Sequence, residues 1–403
     1  VRVLQINSVC GIGSTGRIAT DIHAILKEQG HESYIAYGRD NPINCETAIR
    51  IGNKIDNYTH VAKTRIFDKH GFGSIKATKR FISKIKELNP DVIHLHNIHG
   101  YYINVEILFD YLKEANKPVV WTLHDCWAFT GHCAYFDYAG CDCWKIDGDH
   151  KCIQKRSYPA SLFKNNSRKN YKRKRNSFIG VKNLTIVTPS RWLAQLVKQS
   201  FLGGYPIKVI NNGIDLDLFK PTQSAFRERQ NLNNKFIILG VANVWDERKG
   251  KNYFKELSQR IRGDEIIILV GLTEKQLKVL PNNIIGVTQT DSVRELVDIY
   301  CSADVFVNPT LEEVMGLTNV EALACGVPVI TFNTGGSVEC VDKKTGIIVK
   351  KGNLEEIIDG IKKVRENGKS SYSAHCIDRT NKLYNKNHRY NEYTKIYSKV
   401  FQQ

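Results

Sequence analysis

The sequence predicts an α/β protein built as two doubly wound domains that face each other across a cleft, and three observations carry that expectation. Short β-rich runs alternate with helical patterns through both halves, the periodicity of βαβ units and parallel sheets. The length of 403 residues is about two to three times that of an ordinary domain. Near the middle, Asn211-Asn212-Gly213-Ile214-Asp215 is a turn signature followed by a polar, proline-containing stretch, which marks a junction.

In the first half, strand-like runs fall at 1–6, 33–37, 92–95, 119–123 and 184–188, with a helical pattern at 18–29. In the second, strands at 236–241, 265–270, 305–308 and 327–331 alternate with helices at 251–262, 293–302 and 317–324. These runs divide the chain into a first domain at 1–210 and a second at 211–375. The segment 376–403, helical and rich in Tyr and Lys, is expected to cross back onto the first domain.

Composition narrows the function. With 42% hydrophobic and 25% charged residues the chain has a globular and not a disordered profile. Lys and Arg number 58 against 41 Asp and Glu, a formal net charge of +17 that implies an acidic partner: nucleic acid, an anionic membrane, or a phosphate-bearing substrate. The dense basic run at 164–175 carries no nucleic-acid recognition motif, so an anionic lipid surface is the expected reading of it and no nucleic acid is expected. No apolar run approaches the ~18 residues of a membrane span. The chain opens directly on a strand pattern, and its 11 Cys are scattered, so a cytoplasmic protein with reduced thiols is expected, peripheral on the inner face of the plasma membrane if the basic run binds lipid.

Two segments carry the chemistry. Gly11-Ile12-Gly13-Ser14-Thr15-Gly16 follows a strand and precedes a helix, where Gly16 lets backbone approach an anion and a helix starting near Arg17 offers free N–H groups. As a dinucleotide fingerprint it is weak, because four residues separate the strand end at Ile6 from Gly11. In the second half, Asn308 to Ile330 reads as strand end, loop, helix and strand. The N–H groups of Gly316, Leu317 and Thr318 cap that helix and suit a diphosphate. Glu313 and Glu321 lie roughly 12 Å apart along the axis, too far for a glycosidase pair and suited to two ends of one ligand. Asn243-Val244-Trp245-Asp246-Glu247-Arg248-Lys249-Gly250 sets two cations beyond another strand end, where they offset leaving-group charge.

These residues resemble retaining glycosyltransferases of family 4, which have the GT-B fold of two Rossmann-like domains. The resemblance rests on Glu313 and Glu321 with the following Ala322-Leu323-Ala324-Cys325-Gly326-Val327-Pro328, on Arg248-Lys249-Gly250, and on Asn212-Gly213-Ile214-Asp215 with Phe219 and Pro221. Thr122-Leu123-His124-Asp125, Thr188 to Leu193 and Ser302 to Val307 also look like family blocks, so it spans nearly the whole chain.

It implies a metal-independent transfer with retention at the anomeric carbon, from a UDP- or GDP-sugar donor. Glu313 would contact the donor sugar, Glu321 the ribose, and Lys249 with Arg248 the diphosphate. His124 would sit beside the donor sugar and Gly16 would close the phosphate side. Asn243 stands where many members carry an Arg, with Arg248 as the candidate replacement, and Val314-Met315 alters the pocket wall beside Glu313. His124-Asp125-Cys126-Trp127-Ala128-Phe129-Thr130-Gly131-His132-Cys133 resembles a bacterial subgroup that builds capsule, exopolysaccharide or lipopolysaccharide, so a glycan or lipid-linked acceptor is expected.

In the first half, His94 to Gly100 ends a strand and faces the cleft by topology, which makes His96, Asn97 and His99 the candidate acceptor contacts; a hydrogen-bonded structural role is the alternative for each histidine. Cys126, Cys133, Cys141, Cys143 and Cys152, interleaved with His124, His132 and His150, raise a structural zinc, though the spacing matches no common finger. Two rival activities are an NADP-linked oxidoreductase, motivated by the glycine loop and Arg39, and a non-catalytic nucleotide-sugar-binding protein.

Overall fold

The computed structural model describes residues 1–145 and 151–401. It divides into two compact units, Val1–Ile210 with Arg389–Gln403, and Asn211–His388.

The first unit is built on seven parallel strands: β1 (Arg2–Asn7), β2 (Glu32–Tyr37), β3 (Ala48–Arg50), β4 (Val92–Leu95), β5 (Val119–Thr122), β6 (Leu184–Thr188) and β7 (Ile207–Val209). Their order is β3-β2-β1-β4-β5-β6-β7. The central strands read as continuous apolar, β-branched runs because both faces are covered; β4, β5 and β6 are buried at every position. One covering helix, Gly13–Glu28, spaces Ile18, Ile22, Ile25 and Leu26 at helical intervals and packs them on Val3, Val92, Val120 and Val187. The last helix, Lys386–Phe401, does the same with Tyr390, Tyr393, Ile396 and Tyr397. Its buried phenols find partners in the sheet, as buried hydroxyls must: Tyr397 OH lies 2.6 Å from His94 Nδ1, and Tyr393 OH lies 3.2 Å from Thr122 Oγ1.

The second unit has six parallel strands: β8 (Phe236–Val241), β9 (Glu265–Val270), β10 (Ile284–Val287), β11 (Val305–Asn308), β12 (Val329–Phe332) and β13 (Gly346–Val349). Their order is β10-β9-β8-β11-β12-β13. In each sheet the winding reverses once, between β1 and β4 in the first and between β8 and β11 in the second. That reversal opens a crevice beyond the carboxyl ends of the two strands, because their following helices lie on opposite faces.

Four strands escape the sequence pattern, namely β3, β7, β10 and β13, and all four are sheet edges. They are three or four residues long and part-exposed, so they lack the apolar continuity that betrays the central strands. The first helix starts at Gly13, earlier than the expected start near Arg17, and the helix expected over 251–262 ends at Ser258. The terminal segment is two helices, Ser370–Leu383 and Lys386–Phe401, and not one. Between them, Ile214 N–H donates to Tyr384 O at 2.8 Å and Lys386 N–H to Ile214 O at 3.1 Å, which ties the break to the second unit.

Candidate active site

In the second unit the loops after β8 and β11 meet at the switch point. Leu311 N–H donates to Arg248 O at 2.8 Å, and Gly250 adopts φ +78° with its Cα side against Pro309; a Cβ there would stand 2.1 Å from Pro309 O. The glycine is therefore what lets the two loops touch. The touching loops bring two side chains together: Lys249 Nζ donates to Glu313 Oε2 at 2.6 Å, with the pair only partly exposed. Lys249 is further positioned by its own N–H, which donates to Asp246 Oδ1 at 2.8 Å. Arg248, the other cation, has Nε 3.9 Å from Asp246 Oδ2.

A third loop braces Glu313 from behind. Gly336 N–H donates to Glu313 O at 2.9 Å, and Gly335, at φ +53°, leaves room for that approach; a Cβ would lie 1.9 Å from Glu313 O. Beneath the loop runs a buried polar network. Asn308 Nδ2 donates to Asn319 Oδ1 at 2.8 Å, Asn319 Nδ2 donates to Ser337 Oγ at 3.0 Å, and Ser337 Oγ lies 2.7 Å from Thr331 Oγ1. Every member is satisfied, which makes the network a rigid floor and fixes where the helix Leu317–Ala324 begins. Leu317 N–H is already engaged by Met315 O at 2.9 Å, so of the three amides expected to meet a ligand this one points back into the turn.

Glu321, further along that helix, accepts a hydrogen bond from Tyr300 OH at 2.8 Å. Burial and the neighbouring carboxylate push the Tyr300 phenol well above its usual range, so it remains a donor. Asn243 sits exposed just past β8. Tyr300 and the Asn308–Asn319–Ser337–Thr331 network carry no motif of their own, since their partners come from distant segments.

In the first unit the corresponding loops follow β1 and β4. Asn97 N–H donates to Asn7 Oδ1 at 3.2 Å across the switch point. Gly16 lies within the first turn of its helix and is buried, and Gly11 N–H donates to Gly16 O at 3.1 Å, so the glycine closes the turn.

The histidines form two separate groups. His96 Nδ1 lies 3.1 Å from His124 Nε2 with the rings stacked, and His96 Nε2 lies 3.0 Å from Gln5 Oε1. His94 is held by Thr122 and Tyr397. Burial pushes His94 and His96 well below the usual imidazole range and His124 down to about 4, so this group is neutral near pH 7 and offers hydrogen bonds, not charge. His99 belongs to the second group: its Nε2 lies 2.9 Å from Asp125 Oδ2 and its Nδ1 3.0 Å from Tyr158 OH. The carboxylate–imidazole–phenol chain is assembled from three loops, so spacing in the sequence did not reveal it.

The cysteine-rich stretch folds around one cavity lined by Cys133, Cys141, Cys143 and Cys152 with Phe136 and Trp144. Cys126 is buried elsewhere, and His132 is paired with Asp68 at 2.6 Å. Among the described residues no group of three or more His, Cys, Asp or Glu is disposed to hold a metal ion, and His150 lies outside the described residues.

The basic run at 164–175 is not one exposed stripe. Lys174 is buried, with Nζ donating to Trp127 O at 2.7 Å and Thr130 O at 3.0 Å and lying 3.6 Å from the Trp127 ring centroid; burial pulls its pKa down to about 7. Arg173 is paired bidentately with Glu106. No described helix is long and apolar enough to cross a membrane.

Two parallel sheets, each with one reversal of winding, give the α/β architecture of the GT-B class. The family model described as Glycosyltransferase Family 4 matches residues 15–218, and that described as Glycosyl transferases group 1 matches 235–367. The chain belongs to glycosyltransferase family 4. It is similar to a putative colanic acid biosynthesis glycosyl transferase, WcaC, of Escherichia coli, 25% identical over 374 residues that cover 89% of each chain. In fold it is similar to sucrose-phosphate synthase from Thermosynechococcus elongatus, with a TM-score of 0.73 at 16% identity covering 100% of both chains. It is also similar in fold to Anabaena HepE, crystallised in complex with UDP, with a TM-score of 0.70 at 15% identity covering 99% of this chain and 100% of that one. The chain is a glycosyltransferase.

Proposed function

We propose that the protein transfers a sugar from a nucleoside-diphosphate sugar, with retention at the anomeric carbon, to a glycan or lipid-linked acceptor of a bacterial surface polysaccharide. The observation that carries the reading is the Lys249–Glu313 pair at the second sheet's switch point, 2.6 Å apart. A diphosphate leaving an anomeric carbon gains negative charge, and a lysine fixed there stabilises the transition state more than the ground state. Glu313 supplies a carboxylate for the hydroxyls of the donor sugar, and the Tyr300-braced Glu321 one for the ribose. Gly316 and Thr318 offer amides to the diphosphate, Arg248 adds charge, and Asn243 lines the same end of β8. A uridine or guanosine donor fits this reading, and the UDP complex of HepE supports the former.

In the first unit, neutral His124 offers a hydrogen bond to the donor sugar, Gly16 closes the phosphate side, and His96, Asn97 and His99 orient the acceptor. His96 acts through its contact with His124. The acceptor oxygen attacks on the face from which the diphosphate departs, and its proton passes to the departing phosphate oxygen. No nucleophile of the protein enters the reaction, and orientation with charge stabilisation supplies the rate.

The test is product stereochemistry together with donor turnover. Incubation with UDP- or GDP-sugars and a polysaccharide-repeat acceptor gives an α-linked product from an α-linked donor, read by the anomeric proton coupling. A β-linked product would sink the retaining mechanism while leaving transfer intact.

A further inference from the structure

We propose that one face of the first unit is a docking surface for an anionic lipid bilayer, formed by the helix Lys54–Phe67 and the segment 162–169 that lies against its end. The inference rests on the reading of the protein as a transferase with a lipid-linked acceptor, and it names the surface that delivers the enzyme to that acceptor.

The helix Lys54–Phe67 buries only a narrow face, through Asn57, His60 and Thr64. Its opposite face carries Ile55, Tyr58, Thr59, Ala62, Lys63 and Ile66, all exposed, a stripe at helical spacing that turns outward. An ordinary surface helix has the reverse arrangement, so the exposed stripe needs an account. At the end of the helix the stripe continues onto a second segment. Leu162 N–H donates to Arg65 O at 2.8 Å, Arg65 Nη1 donates to Ala160 O at 3.2 Å, and Asn166 Nδ2 donates to Phe67 O at 2.7 Å. These bonds hold Leu162 and Phe163 beside Ile66 and Phe67. The six apolar side chains Ile55, Tyr58, Ile66, Phe67, Leu162 and Phe163 are between 40% and 75% exposed.

Cations frame the patch. Lys54, Lys63, Lys69, Lys164 and Lys169 are exposed around it, and Lys69 and Lys164 place Nζ 5.6 and 5.8 Å from the Phe67 ring centroid. Asp56 is occupied as the capping-box partner of Asn53, and Asp68 is buried against His132. A protruding apolar ridge flanked by lysines matches the boundary between acyl chains and anionic headgroups, where the ridge enters and the cations meet phosphate. It fits nucleic acid less well, since the centre of the patch is aliphatic.

The experiment is co-sedimentation of the full chain with phosphatidylglycerol-containing vesicles and with pure phosphatidylcholine vesicles, at low and high salt. Two double variants, I55S/Y58S and L162S/F163S, and one charge variant, K63E/K164E, are compared with the unaltered protein. The proposal expects binding to anionic vesicles, reduced at least about fivefold in each variant and by high salt. All these positions are exposed, so thermal unfolding and turnover with a water-soluble acceptor stay unchanged. Equal binding of the variants, equal binding to neutral vesicles, or no vesicle binding by the folded protein would overturn it. No vesicle binding by the unaltered protein, with its nucleotide-sugar turnover intact, refutes only this surface, whereas vesicle binding without any nucleotide-sugar turnover refutes the transferase reading beneath it.

Discussion

Lys249 Nζ and Glu313 Oε2 stand 2.6 Å apart, held there by two loops that touch only because Gly250 has no side chain. The cation and the carboxylate neutralise each other, and on the proposed function each takes a new partner when donor binds. Replacing Lys249 with Ala is expected to lower kcat by about 10²–10³, as loss of one fixed charge-stabilising donor does. Glu313→Gln keeps the shape and is expected to lower kcat while donor Kd changes little. Steady-state kinetics with isothermal titration of the nucleotide separate the two effects, and an unchanged kcat in both variants would remove the pair from the reaction.

Glu321 is placed by Tyr300 OH at 2.8 Å, so the two residues are expected to act on binding and not on the chemical step. Glu321→Ala should weaken nucleotide binding by about 10- to 100-fold, the range for a hydrogen bond to a charged group. Tyr300→Phe should weaken it less, because the carboxylate stays and only its orientation loosens. A larger effect of Tyr300→Phe than of Glu321→Ala would reverse this assignment.

Backbone tolerance gives a third prediction. Alanine at Gly335 meets Glu313 O at 1.9 Å in a left-handed conformation that L residues rarely adopt. Gly335→Ala is therefore expected to cost both activity and a few degrees of Tm, whereas Gly263→Ala, where nothing lies within 4 Å of the added Cβ, should cost neither. Equal Tm and activity for the two variants would show that the Glu313 loop is not set by this contact.

Stability should fall in mild acid. His60 is pulled down to about 3 and His124 to about 4, with His70, His94 and His96 also well below the usual range, all chiefly through burial. The unfolded chain takes up protons at these sites below about pH 6.5 while the folded chain does not, so stability present above that pH is lost as pH falls toward the folded values. The urea midpoint of the first unit's transition should therefore be lower at pH 5 than at pH 7.5. An equal or higher midpoint at pH 5 would contradict the buried, neutral histidines.

Asp68 ends the helix Lys54–Phe67 in a left-handed conformation and receives His132 Nδ1 at 2.6 Å and Asn166 N–H at 2.7 Å. Removing one partner of a buried pair leaves the other unsatisfied, so Asp68→Ala should destabilise by about 3–5 kcal/mol. Asp68→Asn, which keeps the acceptor oxygen, should cost less. Chemical denaturation of both variants checks the order.

The central strands, the switch-point loops and the Glu313–Glu321 helix were legible in the sequence because each is a local signal. Continuous apolar runs, a glycine after a cation pair, and a helix opening behind a loop all lie within a few residues. What stayed hidden depends on distant segments. Edge strands such as β3 and β10 lack a buried pattern, Tyr300 reaches Glu321 from a preceding helix, and the His99–Asp125–Tyr158 chain joins three loops. The basic run was legible only in part. Lys164 and Lys169 are exposed, whereas Lys174 points inward onto Trp127, which composition does not show.

Nucleotide-sugar transfer through the second unit is tested by a binding screen of UDP, GDP, ADP and their sugars against the protein, Lys249→Ala and Glu321→Ala. Selective binding of one nucleoside diphosphate, weakened in both variants, is expected. A folded protein that binds none of them, or binds one equally well after both substitutions, would contradict it.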